Sequence, residues 1–133
     1  VSESIGHFSL WGDFELEEVT SLLGVQPSQV YRKGDDLDGA STPALVSTWD
    51  LYCPDESNGS AGEQVAALLH ILWPKREALR PLSSRFRAAL NISVSCENGT
   101  DVLSLDHQIL SQLVELNLEL NCFYNCDEER NGN

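Results

Sequence analysis

The chain has 133 residues, enough for one domain (1–133) with a core of its own. Its hydrophobic content is 41%, and nowhere does it run the roughly 18 uninterrupted apolar residues of a membrane helix. Twenty-one acids against eight bases give a net charge of −13. That balance repels nucleic-acid phosphates and anionic lipid, and attracts a basic protein partner. No basic segment leads into an apolar one at the start, so no secretory signal is expected.

Residues 7–12 (HFSLWG) read as a strand. Asp13 is placed to cap a helix over 14–23, with Leu16, Val19, Leu22 and Leu23 at helical spacing and Gly24 as a left-handed stop. Residues 25–44 read as a polar loop, and 45–53 as a strand with Leu45, Trp49, Leu51 and Cys53 in one phase. A linker-like 54–62 precedes one apolar helical face, made by Val65, Leu68, Leu69, Leu72, Leu79, Leu82 and Phe86. Pro74 and Pro81 fall inside that stretch, so it is expected to kink or break near one of them. In 89–97, Leu90, Ile92, Val94 and Cys96 alternate with polar residues; Asn98-Gly99 signals a turn and Val102-Leu103 a short return strand. Ser104 is placed to cap a helix over 105–116, with Asn117 as its stop, and 118–126 closes the chain as a strand.

Strand, helix and strand thus occur at 7–53 and again at 89–126. The expected fold is an α+β sandwich of the ferredoxin-like plan: two βαβ halves joined by a long kinked helix, with a largely antiparallel sheet covered by helices on one face. Alternation supports one covered face, because a sheet buried on both sides would show continuous apolar runs.

The tempting chemistry dissolves on inspection. Cys122 and Cys126, in the stretch NCFYNC, lie about 13 Å apart along a strand, too far to bridge each other or share one zinc. With Cys53 and Cys96 they fall in apolar strand phases and read as reduced core residues, a cross-strand disulfide being the alternative. His7, His70 and His107 share no ligand spacing, so no metal site is expected. Aligning Gly39 with the sixth position of a calcium loop puts Gly34 first and Leu45 twelfth, where acids are required. No GxGxxG, phosphate-binding glycine loop, HExxH or GxSxG occurs, and no cofactor or catalytic residue is assigned. Asn58, Asn91 and Asn98 head formal glycosylation sequons, read as chance. The bases clustered between Lys75 and Arg87 read either as a solvated helix face or as a small anion site.

The outward sheet phase is the more informative. It carries Trp11, Tyr52 and Phe123, which read as a partner surface unless loops or the kinked helix cover them. Their neighbours are acids, which excludes stacking of single-stranded RNA.

Five stretches together resemble a family of small bacterial proteins, domain of unknown function family 4279. They are Phe8-Ser-Leu-Trp-Gly12, Leu22-Leu-Gly24-Val25, Tyr31-Arg-Lys-Gly34-Asp35, Ser47-Thr-Trp49-Asp-Leu51, and Leu103-Ser-Leu-Asp106 through the final strand. The closing strand departs from the family, offering Asn and Cys between Asn121 and Cys126 where an Asp near an aromatic is usual. The resemblance implies bacterial origin and an intracellular setting, with no mechanism. The expected role is a non-enzymatic interaction domain, in its most concrete form an acidic immunity-type inhibitor of a basic toxin, with homodimerisation through the aromatic sheet face. The alternative is a small-anion binder using Arg32, Lys33 and Asp35 beside Trp49.

Overall fold

Period-2 alternation and helical stripes sort the chain into a sheet with one greasy face and helices to cover it. The computed structural model describes residues 2–36, 43–54, 60–97 and 102–127. In order these form β1 (Ser2–Gly12), α1 (Leu16–Leu23), β2 (Gln29–Tyr31), β3 (Ser47–Tyr52) and α2 (Ala61–Leu72). A 3₁₀ turn (Trp73–Lys75) leads into α3 (Arg76–Arg85), followed by β4 (Arg87–Glu97), α4 (His107–Glu115) and β5 (Glu119–Asp127). The strand order is β2-β3-β1-β4-β5; all neighbours are antiparallel except β4 and β5.

The α+β ferredoxin-like sandwich is therefore what the chain forms, and β2 sets how its units are phased. Residues 25–44, read from sequence as loop, contain this three-residue strand paired to β3 from Gln29↔Asp50 to Tyr31↔Thr48. β1-α1-β2 and β3-α2-α3-β4 are then the two split βαβ units, each spanning one intervening strand. The unit α4-β5 is an addition that extends the sheet beside β4 by a parallel crossover.

Phe8 and Leu10 of β1, Trp49 of β3 and Leu90, Ile92 and Val94 of β4 meet Val65, Leu68, Leu69 and Leu72 of α2 in one core. Val19 and Leu23 of α1, Leu79 and Leu82 of α3, and Leu113 and Leu116 close it. At about 25 cal/mol per Å² of apolar surface removed from water, these side chains dominate stabilisation. Gly6 lets β1 and α2 approach. Its N–H donates to Gln64 Oε1 at 3.0 Å, and a Cβ there would lie 2.8 Å from Ile92 Cδ1.

Helix ends show where sequence signals were overridden. Gly24 stops α1 with φ 71°, as expected, and Asn117 has φ 56° just past α4. Asp13 does not cap α1. The helix begins two residues later than 14, after Glu15, because Phe14 is held edge-on against Phe86 with centroids 5.1 Å apart. Ser104 does not cap α4 either: Asp106 does, accepting from the Ile109 N–H at 2.9 Å. Leu103 and Leu105 pack on the core and keep that approach extended, and Val102-Leu103 forms no strand. The break in the long helical stretch falls at Pro74, within the 3₁₀ turn, while Pro81 sits exposed in α3. The Asn98-Gly99 turn lies outside the described residues. Among the described residues no helix is long and apolar enough to cross a membrane.

Candidate functional site: the helix-free face of the sheet

Among the described residues every helix packs on one side of the sheet, and the opposite side is surfaced by strand side chains. Register brings its residues together from distant parts of the chain. Ser9 pairs with Asp50 on one side and Ala89 on the other; His7 pairs with Tyr52 and Asn91; Trp11 pairs with Thr48 and Arg87. Asn91 and Ser93 of β4 continue to Asn121 and Phe123 of β5.

At the centre is a hydrogen-bonded polar row sunk between larger side chains. The Ser9 hydroxyl donates to Asp50 Oδ1 at 2.5 Å, and Asn91 Nδ2 donates to Ser9 Oγ at 3.4 Å. Asn91 also lies 3.4 Å from His7 Nε2, and accepts through Oδ1 from Asn121 Nδ2 at 3.0 Å. The Tyr52 ring stacks on His7 with centroids 4.8 Å apart. Burial raises the Asp50 carboxyl above the ordinary carboxylate range, against the Ser9 hydrogen bond and the nearby His7 charge. Burial likewise lowers His7, with Asp50 opposing the shift. Asp50 is only 8% exposed, and no fully buried side-chain N or O atom among the described residues lacks a hydrogen-bond partner.

Around this row stand the aromatics. Phe123 is 58% exposed, and Tyr52 and Tyr31 are also exposed. Trp11 is half-covered because the Arg87 guanidinium lies 5.1 Å from its ring, itself held by Glu119 at 3.1 Å. The three aromatics read from the outward phase, Trp11, Tyr52 and Phe123, therefore share one face, and neither α2 nor α3 covers them. Tyr31 was missed because β2 was read as loop. Ser9, Asp50 and Asn91 were missed because short polar residues on a wet phase carry no signal until the register is known.

The second set of sequence candidates does not converge. Trp49 is 0% exposed and points into the core, its indole N–H donating to Thr20 Oγ1 at 2.9 Å. It cannot stand beside Arg32 and Lys33 as a ligand-binding ring. Arg32 forms an ion pair with Glu17, whose carboxyl the guanidinium hydrogen bond lowers, and Lys33 Nζ lies 3.9 Å from Asp13. Asp35 closes a turn, accepting from the Arg32 N–H at 2.7 Å. Gly34, at φ 94°, donates its N–H to Ala44 O at 2.8 Å. The Tyr-Arg-Lys-Gly-Asp stretch thus fastens the start of the β2–β3 connection.

Cys53 and Cys122 are half-buried against the core, and burial pushes the Cys122 thiol up. Cys96 and Cys126 are register partners across β4 and β5, their side chains lying outside the described residues. Asn91, bonded within the polar row, is no exposed sequon; Asn58, Asn98 and residues 37–42 of the acidic loop are outside the described residues. Among the described residues, no three His, Cys, Asp or Glu side chains gather as a metal site would require.

Neither the curated proteins nor the solved structures contain a match to this chain. Comparison with protein-family models matches residues 3–127 to a domain of unknown function, DUF4279, a span from the start of β1 to the end of β5. The chain belongs to the DUF4279 family.

Proposed function

We propose that this protein is a non-catalytic interaction module whose helix-free sheet face receives a basic protein partner. In its most concrete form it is an acidic immunity-type inhibitor that captures a basic toxin in the bacterial cytoplasm. The observation that carries the reading is the ring of exposed Tyr31, Tyr52 and Phe123 around a buried polar row on one sheet face. The exposed aromatics are of the residue types enriched among energetic interface anchors, and the polar groups beneath them are hydrogen-bonded to one another. The net charge of −13 selects the sign of the partner and speeds its capture. Small-anion binding is not supported, since Arg32 and Lys33 are already engaged by carboxylates.

The test is affinity capture from a lysate of the source organism at low salt and at about 0.5 M salt, where charge attraction is largely screened. A basic protein should be retained at low salt and released at high salt. Tyr52→Ala and Phe123→Ala should each abolish retention while leaving the circular dichroism spectrum unchanged. Recovery of no basic protein, or retention indifferent to salt and to both variants, would sink the proposal.

A further inference from the structure

The sheet ends in two very different edges. β2 is three residues long, a common way of blunting an edge. β5 runs nine residues, Glu119–Asp127, and is the other terminal strand among the described residues. A terminal strand presents unpaired N–H and C=O groups along its outer side, and proteins guard such edges with lysine, proline or a bulge. Between Leu120 and Cys126 β5 contains no proline and no charged residue of either sign. Its nine residues keep unbroken register with Ala89–Glu97, so no bulge bends it away.

The helix preceding β5 adds a second observation. Gln108, Ile109 and Gln112 of α4 face α2 across a groove that also includes Leu69, His70 and Trp73. At 3.6 residues per turn Leu110 and Val114 fall on the flank opposite Gln108 and Gln112, away from α2, and β5 lies beyond β4 on that side of the sheet. Val114 is 79% exposed and Leu110 about half. Tyr124, in the strand phase that faces the helices, is also exposed. An apolar helix flank and an unguarded strand edge therefore adjoin at one end of the sheet.

We infer that β5 pairs antiparallel with β5 of a second copy of this chain, joining two five-stranded sheets into one, with the α4 flanks packed across the seam. A second copy is the occupant that the charges favour. In a chain of net charge −13, the stretch 120–126 is an uncharged window. Self-pairing centred on Phe123 brings acids together only at its two ends, Glu119 opposite Asp127, and Glu119 is already engaged by Arg87. A basic partner would be drawn to the acidic surface elsewhere, not to this uncharged edge. Antiparallel pairing of one strand with itself is also isologous, so it closes as a two-fold dimer and does not propagate. The dimer is joined through the β5 edge, with Phe123 at the centre of the paired strands and Tyr31 and Tyr52 remote from the seam, and it does not rest on the function proposed above.

Sedimentation equilibrium of the full chain under reducing conditions tests this. The expected mass is twice the 14.7 kDa protomer. Tyr124→Lys and Val114→Glu both sit at exposed positions, and each should weaken dimerisation at least about ten-fold in Kd, with folding checked by circular dichroism. Tyr52→Ala, on the open face, should leave the dimer intact. A monomer at all concentrations would overturn the inference. So would a dimer that survives both edge variants, or one that only Tyr52→Ala breaks.

Discussion

His7 and Asp50 occupy neighbouring positions on the open face and pull stability in opposite directions with pH. His7 is lowered from 6.5 chiefly by burial, so the folded chain favours neutral imidazole. The unfolded chain takes up that proton first; its contribution is full above pH 6.5 and fades as pH falls toward the lowered folded value. Asp50 is raised from 3.8, chiefly by burial, so its contribution is present at low pH and is lost as pH rises through the raised folded value. Urea midpoints measured from pH 4 to 8 should therefore show two separable components. His7→Gln should remove the loss of stability below 6.5, and Asp50→Asn should raise stability at pH 7 while keeping an acceptor for Ser9. Unchanged slopes in both variants would mean that neither group titrates differently on folding. Neither residue was legible as part of a site. Trp11 and Tyr52 marked the outer phase of β1 and β3, but only the β1–β3 and β1–β4 registers unite His7 and Asp50 with Ser9 and Asn91. Trp49 misled in the opposite sense: its core phase was visible, yet its nearness in sequence to the basic turn suggested a ligand site that its burial excludes.

Among the elements, α2 is held at its start by a reciprocal cap. Ser60 Oγ accepts from the Glu63 N–H at 3.3 Å, and Glu63 Oε1 accepts from the Ser60 N–H at 2.9 Å. Because α2 packs on both β1 and β4, a frayed first turn would loosen Ala61 and Val65 from the core. Ser60→Ala should cost about 1 kcal/mol, read as a lower denaturation midpoint with an unchanged m-value. Loss below ~0.3 kcal/mol would show that packing alone holds that end. Legibility at this scale followed length and periodicity. The long amphipathic stretch, its break near a proline, β4 and the left-handed stop at Gly24 could all be read from residue spacing. β2 could not, since Gln29-Val30-Tyr31 is too short to show a period and is followed at once by turn residues. Its strand character comes from β3, which lies along it. The start of α4 was misplaced because Ser104 and Asp106 are both good caps, and the packing of Leu105 chooses between them.

Across the whole molecule, charge repulsion is the distributed opponent of folding. Among the described residues Arg32, Lys33, Arg80 and Arg87 are engaged by Glu17, Asp13, Glu115 and Glu119, and with 21 acids against eight bases most of the chain's acids cannot be paired one to one. Salt weakens those few exposed pairs and also the more numerous repulsions, and the excess of acids makes the second effect larger. The melting temperature should therefore rise as sodium chloride increases from 20 to about 300 mM. A fall over that range would mean that the four pairs outweigh the unpaired acids.

The place of β1 carries a consequence for how the chain is made. Of the five strands of this sheet it is the first to be synthesised and it lies at the centre, with Phe8 set between Leu51 and Leu90. Neither flank exists when β1 leaves the ribosome. Its partner in β4 arrives some eighty residues later, as the pairing of Trp11 with Arg87 shows. Distant pairing of this kind slows folding and prolongs exposure of unpaired apolar backbone. Until residue 97 has emerged, Phe8 and Leu10 have no finished core to enter. The interval before β4 emerges is thus the stage at which this domain exposes its central strand unpaired on the β4 side.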